Sequence, residues 1–283
     1  MHVSTGLRAI VAVLATGLGG SAQAGFAQRP SPAREVILAT TTSFRDTGLL
    51  DSLVRAFERR TGYRVRAVAV GSGQALRMGE RGDADVLIAH SPAAELAFLR
   101  AGAGSRRQVV AYNHFALAGP SGDPAGIAGA PSAAAAFRRI AEQGAGFVSR
   151  GDSSGTHIRE LALWAQAGGR PSWRGYEETG QGMAATLLVA DERRAYTLTD
   201  RATLASLASR VDLVPLRPPE ATLINVYHVI EVNPEGRPRV NAAGARAFAD
   251  WLTSDAVQAL IEGFGPQGAR LFVAARGREP APE

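Results

Sequence analysis

Apolar and polar positions repeat one order along much of the chain: a short apolar strand pattern, a turn of small hydroxyl-bearing residues, then a helical pattern. Glu35-Val36-Ile37-Leu38-Ala39 is the first apolar run, and Thr40-Thr41-Thr42-Ser43 follows at once. Leu49, Leu50, Leu53, Val54 and Phe57 keep helical spacing, with Asp46 or Thr47 as the expected cap. Tyr63 to Val70 alternates as a strand, Gly71-Ser72-Gly73-Gln74 turns, and Ala75 to Glu80 is helical. Asp85 to His90 is a third apolar strand, and Ser91-Pro92 opens the next helix with proline at a tolerated early position. This alternation predicts a parallel α/β sheet, in which ligands bind at the carboxyl ends of the strands.

Gln108 to Gly119 is a longer β pattern, suited to carry the chain out of a first lobe. An alanine-rich helix (Ser132 to Gln143), a short strand (Phe147, Val148), a Gly/Ser-rich turn and a helix with Leu161, Leu163 and Trp164 come next. Pro171 to Thr179 is irregular. Gly180-Gln181-Gly182 then starts a helix through Met183, Leu187, Leu188 and Ala190, and Ala195 to Leu198 is a strand. Thr199-Asp200 caps a helix holding Leu204 and Leu207, and Asn225 to Asn233 returns the chain. Two helices close it, Ala242 to Leu252 and Asp255 to Phe264, the latter with Ser254 as cap. The expected architecture is two lobes, each a mostly parallel sheet flanked by helices, joined by two crossings. Lobe I would take 34–115 and 222–283, and lobe II 116–221.

Composition agrees with two cores: 283 residues at 46% hydrophobic are ample. The formal charge of +5 is modest, and its arginines are scattered among acids without interleaved aromatics, which argues against a nucleic-acid surface. No lysine occurs. Met1 to Ala24 has a short n-region with Arg8, an apolar stretch from Ala9 to Leu18 and an Ala22-Gln23-Ala24 cleavage pattern, and so reads as a secretory signal peptide. Gly25 to Arg34 reads as a tail, disordered or strapped to the surface. There is no cysteine, so neither disulfides nor a cysteine-borne lipid anchor is available. The expectation is a freely diffusing periplasmic monomer.

The candidate chemistry centres on Ser149-Arg150-Gly151-Asp152-Ser153-Ser154-Gly155-Thr156-His157. Small residues between a strand and a helix leave backbone N–H groups uncovered, and the helix start contributes about half a positive charge. Ser154 and Thr156 add hydroxyls, and Arg150 adds a planar fork of donors. Only Asp152 is an obvious acceptor, so the loop suits an anion with several oxygens. If Asp152 pairs with Arg150, the site is a cage of donors alone.

Other patterns carry less. Gly71-Ser72-Gly73 lacks the third glycine of a dinucleotide fingerprint, since Leu76 stands there. Asp46-Thr47-Gly48 spells an aspartic-protease signature but has no second copy to share a proton with. Arg150-Gly151-Asp152 matches an adhesion tripeptide in three letters only. Gly151-Asp152-Ser153-Ser154-Gly155 meets a nucleophile-elbow pattern in letters, so a serine hydrolase using Ser153 and His157 stands as an enzymatic alternative. His90, His114, His157 and His228 show no paired metal-ligand spacing.

Several segments together resemble the tungstate-binding proteins of bacterial ABC importers. They are Ala39-Thr40-Thr41-Thr42-Ser43, Asp46-Thr47-Gly48-Leu49-Leu50, Gly71-Ser72-Gly73-Gln74-Ala75-Leu76 and Gly82-Asp83-Ala84-Asp85-Val86-Leu87. Ser149 to His157, Gly180-Gln181-Gly182-Met183 and Tyr196-Thr197-Leu198-Thr199-Asp200-Arg201 complete the set. The resemblance runs from about Glu35 to Phe264. It implies the second type of periplasmic binding-protein fold, hinged by two crossings, and no catalysis. Carried over by position, it implies that Thr41, Ser72, Arg150 and Thr156 hold the oxyanion, with Thr42 and Ser154 as further donors. Tungstate or molybdate would be the ligand, no cofactor is implied, and an inner-membrane ABC permease is the implied partner. Ser153 stands where the family often has a second acid. Phosphate-binding proteins carry a related turn that Arg150, Asp152, Ser154, Gly155 and Thr156 also match, so phosphate is the alternative ligand.

Overall fold

A computed structural model describes residues 1–2, 34–169, 172–265 and 270–278. The signal-peptide pattern, apart from its first two residues, and all of the following tail but Arg34 lie outside the described residues. Three parallel strands come first: β1 (Glu35–Thr41), then β2 (Arg64–Val70) beyond helices α1 (Thr42–Asp46) and α2 (Leu49–Thr61), then β3 (Val86–Ala89) beyond α3 (Ser72–Glu80). α4 (Pro92–Arg100) leads into β4 (Gly104–Gly119), a sixteen-residue strand.

The second lobe begins on β4 itself. Its last residues, Phe115 to Gly119, pair antiparallel with β7 (Thr197–Asp200) and β8 (Val214–Pro215). Between them run α5 (Ala133–Glu142), β5 (Phe147–Ser149), α6 (Gly155–Ala167), β6 (Tyr176–Glu178) and α7 (Met183–Glu192). α8 (Arg201–Ser206) follows β7, and β9 (Ile224–Val232) then brings the chain back, antiparallel between β3 and β4. α9 (Ala242–Leu252), α10 (Asp255–Glu262) and β10 (Val273–Ala274) finish on the first lobe, giving the strand order β10-β4-β9-β3-β1-β2.

The parallel reading therefore holds for β1, β2 and β3 and for β5 with β6, while the crossings make the sheet mixed. A returning strand inserted beside β3 can only run opposite to it. Hydrophobic cores separate accordingly. Leu38, Phe44, Phe57, Tyr227, Phe248 and Phe272 pack in one, and Phe137, Phe147, Trp164 and Tyr196 in the other.

Three local expectations are corrected. Asp46 does not cap α2. It is bound by Arg45, while left-handed Gly48 (φ 81°) occupies the cap and the Thr47 hydroxyl accepts from Leu49 N at 3.2 Å. Ser254 stands at the start of α10, but its hydroxyl donates back to the Trp251 carbonyl at 2.7 Å. The stretch expected to be irregular contains β6, because Tyr176 stacks on Phe147 (5.9 Å, 7°) and is drawn beside β5. Three residues are too few to show a period.

Candidate functional site

Turns from both lobes meet along one seam. In lobe I, β1 ends at Thr41, which is the N-cap of α1 and accepts from Phe44 N at 3.3 Å. Thr42 opens α1, and Ser72 opens α3 directly after β2. In lobe II, the turn after β5 is held by its own side chains. Gly151 (φ 61°) and Ser153 (φ 58°) are left-handed, and a Cβ on Gly151 would come within 2.8 Å of the Glu178 side chain, so glycine is required there. Asp152 Oδ1 accepts from Ser154 N at 3.1 Å, and Asp152 Oδ2 accepts from Arg150 Nη2. Ser154 caps α6, its hydroxyl accepting from His157 N at 3.2 Å.

Distances establish the meeting. Arg150 Nη2 donates across the seam to Thr42 Oγ1 at 3.2 Å, and Arg150 Nε donates to the Gln181 carbonyl at 3.3 Å. A Cβ placed on Gly71 would lie 3.7 Å from the Asp152 carbonyl oxygen and 3.8 Å from Ser154 Cα. One placed on Gly182, before α7, would lie 3.5 Å from Thr42 Oγ1. The starts of α3, α6 and α7 thus converge on Thr42 and Arg150. Each brings partial positive charge and unpaired N–H groups.

Three of the six expected donors carry a buried polar atom without a protein partner: Ser72 Oγ, Arg150 Nη1 and Thr156 Oγ1. Their residues are 0%, 2% and 1% exposed. Burying such a group unpaired costs about 1–3 kcal/mol, more when charged. Two at helix starts and one on the turn between β5 and α6, on loops that meet at the seam, are readily explained by a bound anion. The other three are already engaged. Thr41 Oγ1 lies 3.3 Å from Ser43 Oγ, Thr42 receives Arg150, and Ser154 serves its helix. Thr42 and Ser154 keep their own hydroxyl protons to donate. Asp152 is turned onto Arg150 and Ser154 N, so the seam is a cage of donors. Two surface grooves, of about 740 and 620 Å³, contain none of Ser72, Arg150 and Thr156.

A serine hydrolase is not built here. His157 Nδ1 accepts from the Ser153 backbone N–H at 3.0 Å and so cannot hand a proton to an orienting carboxylate, as a triad demands. The nearby carboxylate, Asp152, is committed to Arg150.

Two supporting residues escape sequence reasoning. Glu160 lies buried behind the Arg150 loop, accepting from Ser149 Oγ (2.7 Å), Tyr176 OH (3.0 Å) and Trp164 Nε1 (3.1 Å). Burial pushes its carboxyl up to about 7 despite these donors. Behind the lobe I turns, His90 Nδ1 lies 2.8 Å from Asn225 Oδ1 and Nε2 lies 3.4 Å from Ser43 Oγ. Burial lowers its pKa to about 4, so the ring is neutral. Among the described residues, no group of three or more His, Asp or Glu is arranged to hold a metal, and no helix is long and apolar enough to cross a membrane.

A family profile described as a PBP superfamily domain matches residues 27–256. The tungstate-binding protein TupA of Peptoclostridium acidaminophilum is 44% identical over 261 residues, covering 88% of this chain and 91% of the relative. The crystal structure of the tungstate ABC transporter from Geobacter sulfurreducens aligns with a TM-score of 0.73 at 44% identity, covering 79% of this chain and 95% of that one. The tungstate-binding protein TupA from Desulfovibrio alaskensis G20 aligns with a TM-score of 0.71 at 44% identity, covering 85% and 98%.

Proposed function

The chain belongs to the PBP superfamily and, within it, to the family of the tungstate-binding protein TupA, and from that premise we propose that it captures tungstate between its lobes and delivers it to an ABC permease. It acts as a solute-binding protein in the periplasm and carries out no chemistry on its cargo. The observation that carries this reading is the group of buried, partnerless donors on Ser72, Arg150 and Thr156.

Tungstate is a fully deprotonated tetrahedral dianion at neutral pH, with four acceptor oxygens and no proton to donate. A site that offers donors and withholds carboxylates suits it. Hydrogenphosphate carries a proton that needs an acceptor, and the Asp152 carboxylate is held by Arg150 and Ser154 N. Hydrogen bonds to a charged group contribute about 1.5–3 kcal/mol each. Four or five such bonds approach the ~12 kcal/mol of nanomolar binding, before the costs of closure and immobilisation.

Molybdate has nearly the same size and charge and is expected to bind as well. In calorimetry and thermal-shift assays, tungstate and molybdate should each stabilise the protein, while excess sulfate or phosphate should barely compete. Effective competition by phosphate would move the assignment to a phosphate importer.

A further inference from the structure

Across the seam, from one lobe to the other, one glycine contact is too close for any side chain but hydrogen. Gly155, the first residue of α6, faces His90 at the end of β3, in the other lobe. A Cβ on Gly155 would stand 2.7 Å from the His90 carbonyl oxygen and 2.8 Å from both Cε1 and Nδ1 of its ring. Non-bonded heavy atoms find their optimum near 3.5–4.0 Å, so the methyl would be about an ångström too close.

His90 is held from several sides, although it also borders the groove of about 620 Å³ that Gly155 lines. Its ring is fixed to Asn225 on the returning strand β9, faces Ser43 on its other nitrogen, and stacks on Tyr227 at 5.0 Å. It is 4% exposed, and the nearest clashing atom is main chain. The local backbone does not ask for glycine here. Gly155 is absent from the left-handed positions, so its own backbone conformation is open to alanine. Other glycines at the seam differ. At Gly73 a Cβ would meet the Ser153 carbonyl at 3.8 Å, and at Gly71 the Asp152 carbonyl at 3.7 Å, both ordinary contacts.

We propose that Gly155 is a closure-determining residue: its missing Cβ leaves the space that His90 occupies when the lobes shut. His90 is tied to the crossing strand β9, so the contact lies close to the pivot. A wedge there opens a wider gap at the mouth. Gly155 thus links the hinge to the donor on the next residue, Thr156. The inference rests on tungstate capture for its ligand, but its geometry does not.

The chain lacks cysteine, so a spin-label pair can be introduced cleanly at exposed Arg59 on α2 and Glu142 on α5. Distances between labels would be measured with and without tungstate in three proteins: otherwise unchanged, Gly155→Ala and Gly73→Ala. Alanine retains the backbone N–H at position 155, so no donor is lost. Gly155→Ala should fold with an undiminished melting temperature, fail to reach the short-distance state, and bind tungstate at least 100-fold more weakly by calorimetry. Gly73→Ala should close and bind normally. Full closure and unchanged affinity in Gly155→Ala would overturn the proposal. Should the unchanged protein not respond to tungstate, the ligand assignment fails. The gate is then decided by the ligand-free distance distributions: loss of the short-distance population in Gly155→Ala supports it, and identical distributions refute it.

Discussion

Lobe I brings Thr41, Thr42 and Ser72 to the seam over a neutral bed of Ser43, His90 and Asn225, whereas lobe II brings Arg150 and Thr156 over two carboxylates, Asp152 and Glu160. The guanidinium with an unpartnered buried nitrogen is therefore on one side, with Asp152 beside it as its counter-charge. Lobe I answers with hydroxyls and helix starts alone, so the two lobes reach the same ligand by different means.

The comparison breaks most directly at Arg150. Arg150→Ala removes the charge and leaves Asp152 facing the seam, so tungstate affinity should fall by about a thousandfold or more while the fold survives. Calorimetry beside circular dichroism checks both halves, and an unchanged affinity would place the ligand elsewhere.

A second test uses acid. His90 binds fewer protons folded than unfolded between its ordinary 6.5 and about 4, so its contribution to stability is lost as pH falls through that window. Glu160, raised from 4.5 to about 7, keeps a proton that the unfolded chain has released, so its contribution is lost as pH rises through 4.5–7. The two slopes oppose each other, and each integrates to about 3 kcal/mol at most. In urea titrations, Glu160→Gln should expose a protein that weakens towards acid, and His90→Asn one that weakens towards neutrality. Parallel curves for both variants would refute this division between the lobes.

Single neutral donors come next. Ser72→Ala and Thr156→Val each remove one hydroxyl, on opposite sides, and each should weaken tungstate binding by roughly 10–100-fold. Near-equal losses are expected, since each deletes one hydroxyl donor to the same charged ligand, whichever lobe supplies it. The smallest effect belongs to Thr42→Val. It deletes the cross-seam bond from Arg150, whose Nη2 keeps Asp152 as a partner, and a loss at the low end for a charged donor, about 1.5 kcal/mol, should raise the tungstate Kd about tenfold by calorimetry.

Much of this organisation is legible along the chain because it is local. The strand, hydroxyl turn and helix start at Thr41, Ser72 and Thr156 each fit within a dozen residues, and Ala242–Leu252 is a helix as its spacing predicts. What escapes reading depends on distant partners. Arg150 reaches Thr42 across 108 positions, and His90 reaches Asn225 across 135. Glu160 looks like an ordinary helix acid until Tyr176 folds over it. The split among the six expected donors, three free and three engaged, is likewise a property of packing that no spacing encodes.

β4 and β9 leave and re-enter the first lobe side by side: His114 pairs with Ile224, and Asn113 with Asn225. Everything between those two points is, in chain terms, a single insert with adjoining ends. Such an insert can be swapped between homologues as one cassette, without rethreading its host. Since Arg150 and Thr156 travel inside it while Thr41, Thr42 and Ser72 stay with the host, an exchange of that cassette would change half of the donor set in a single step.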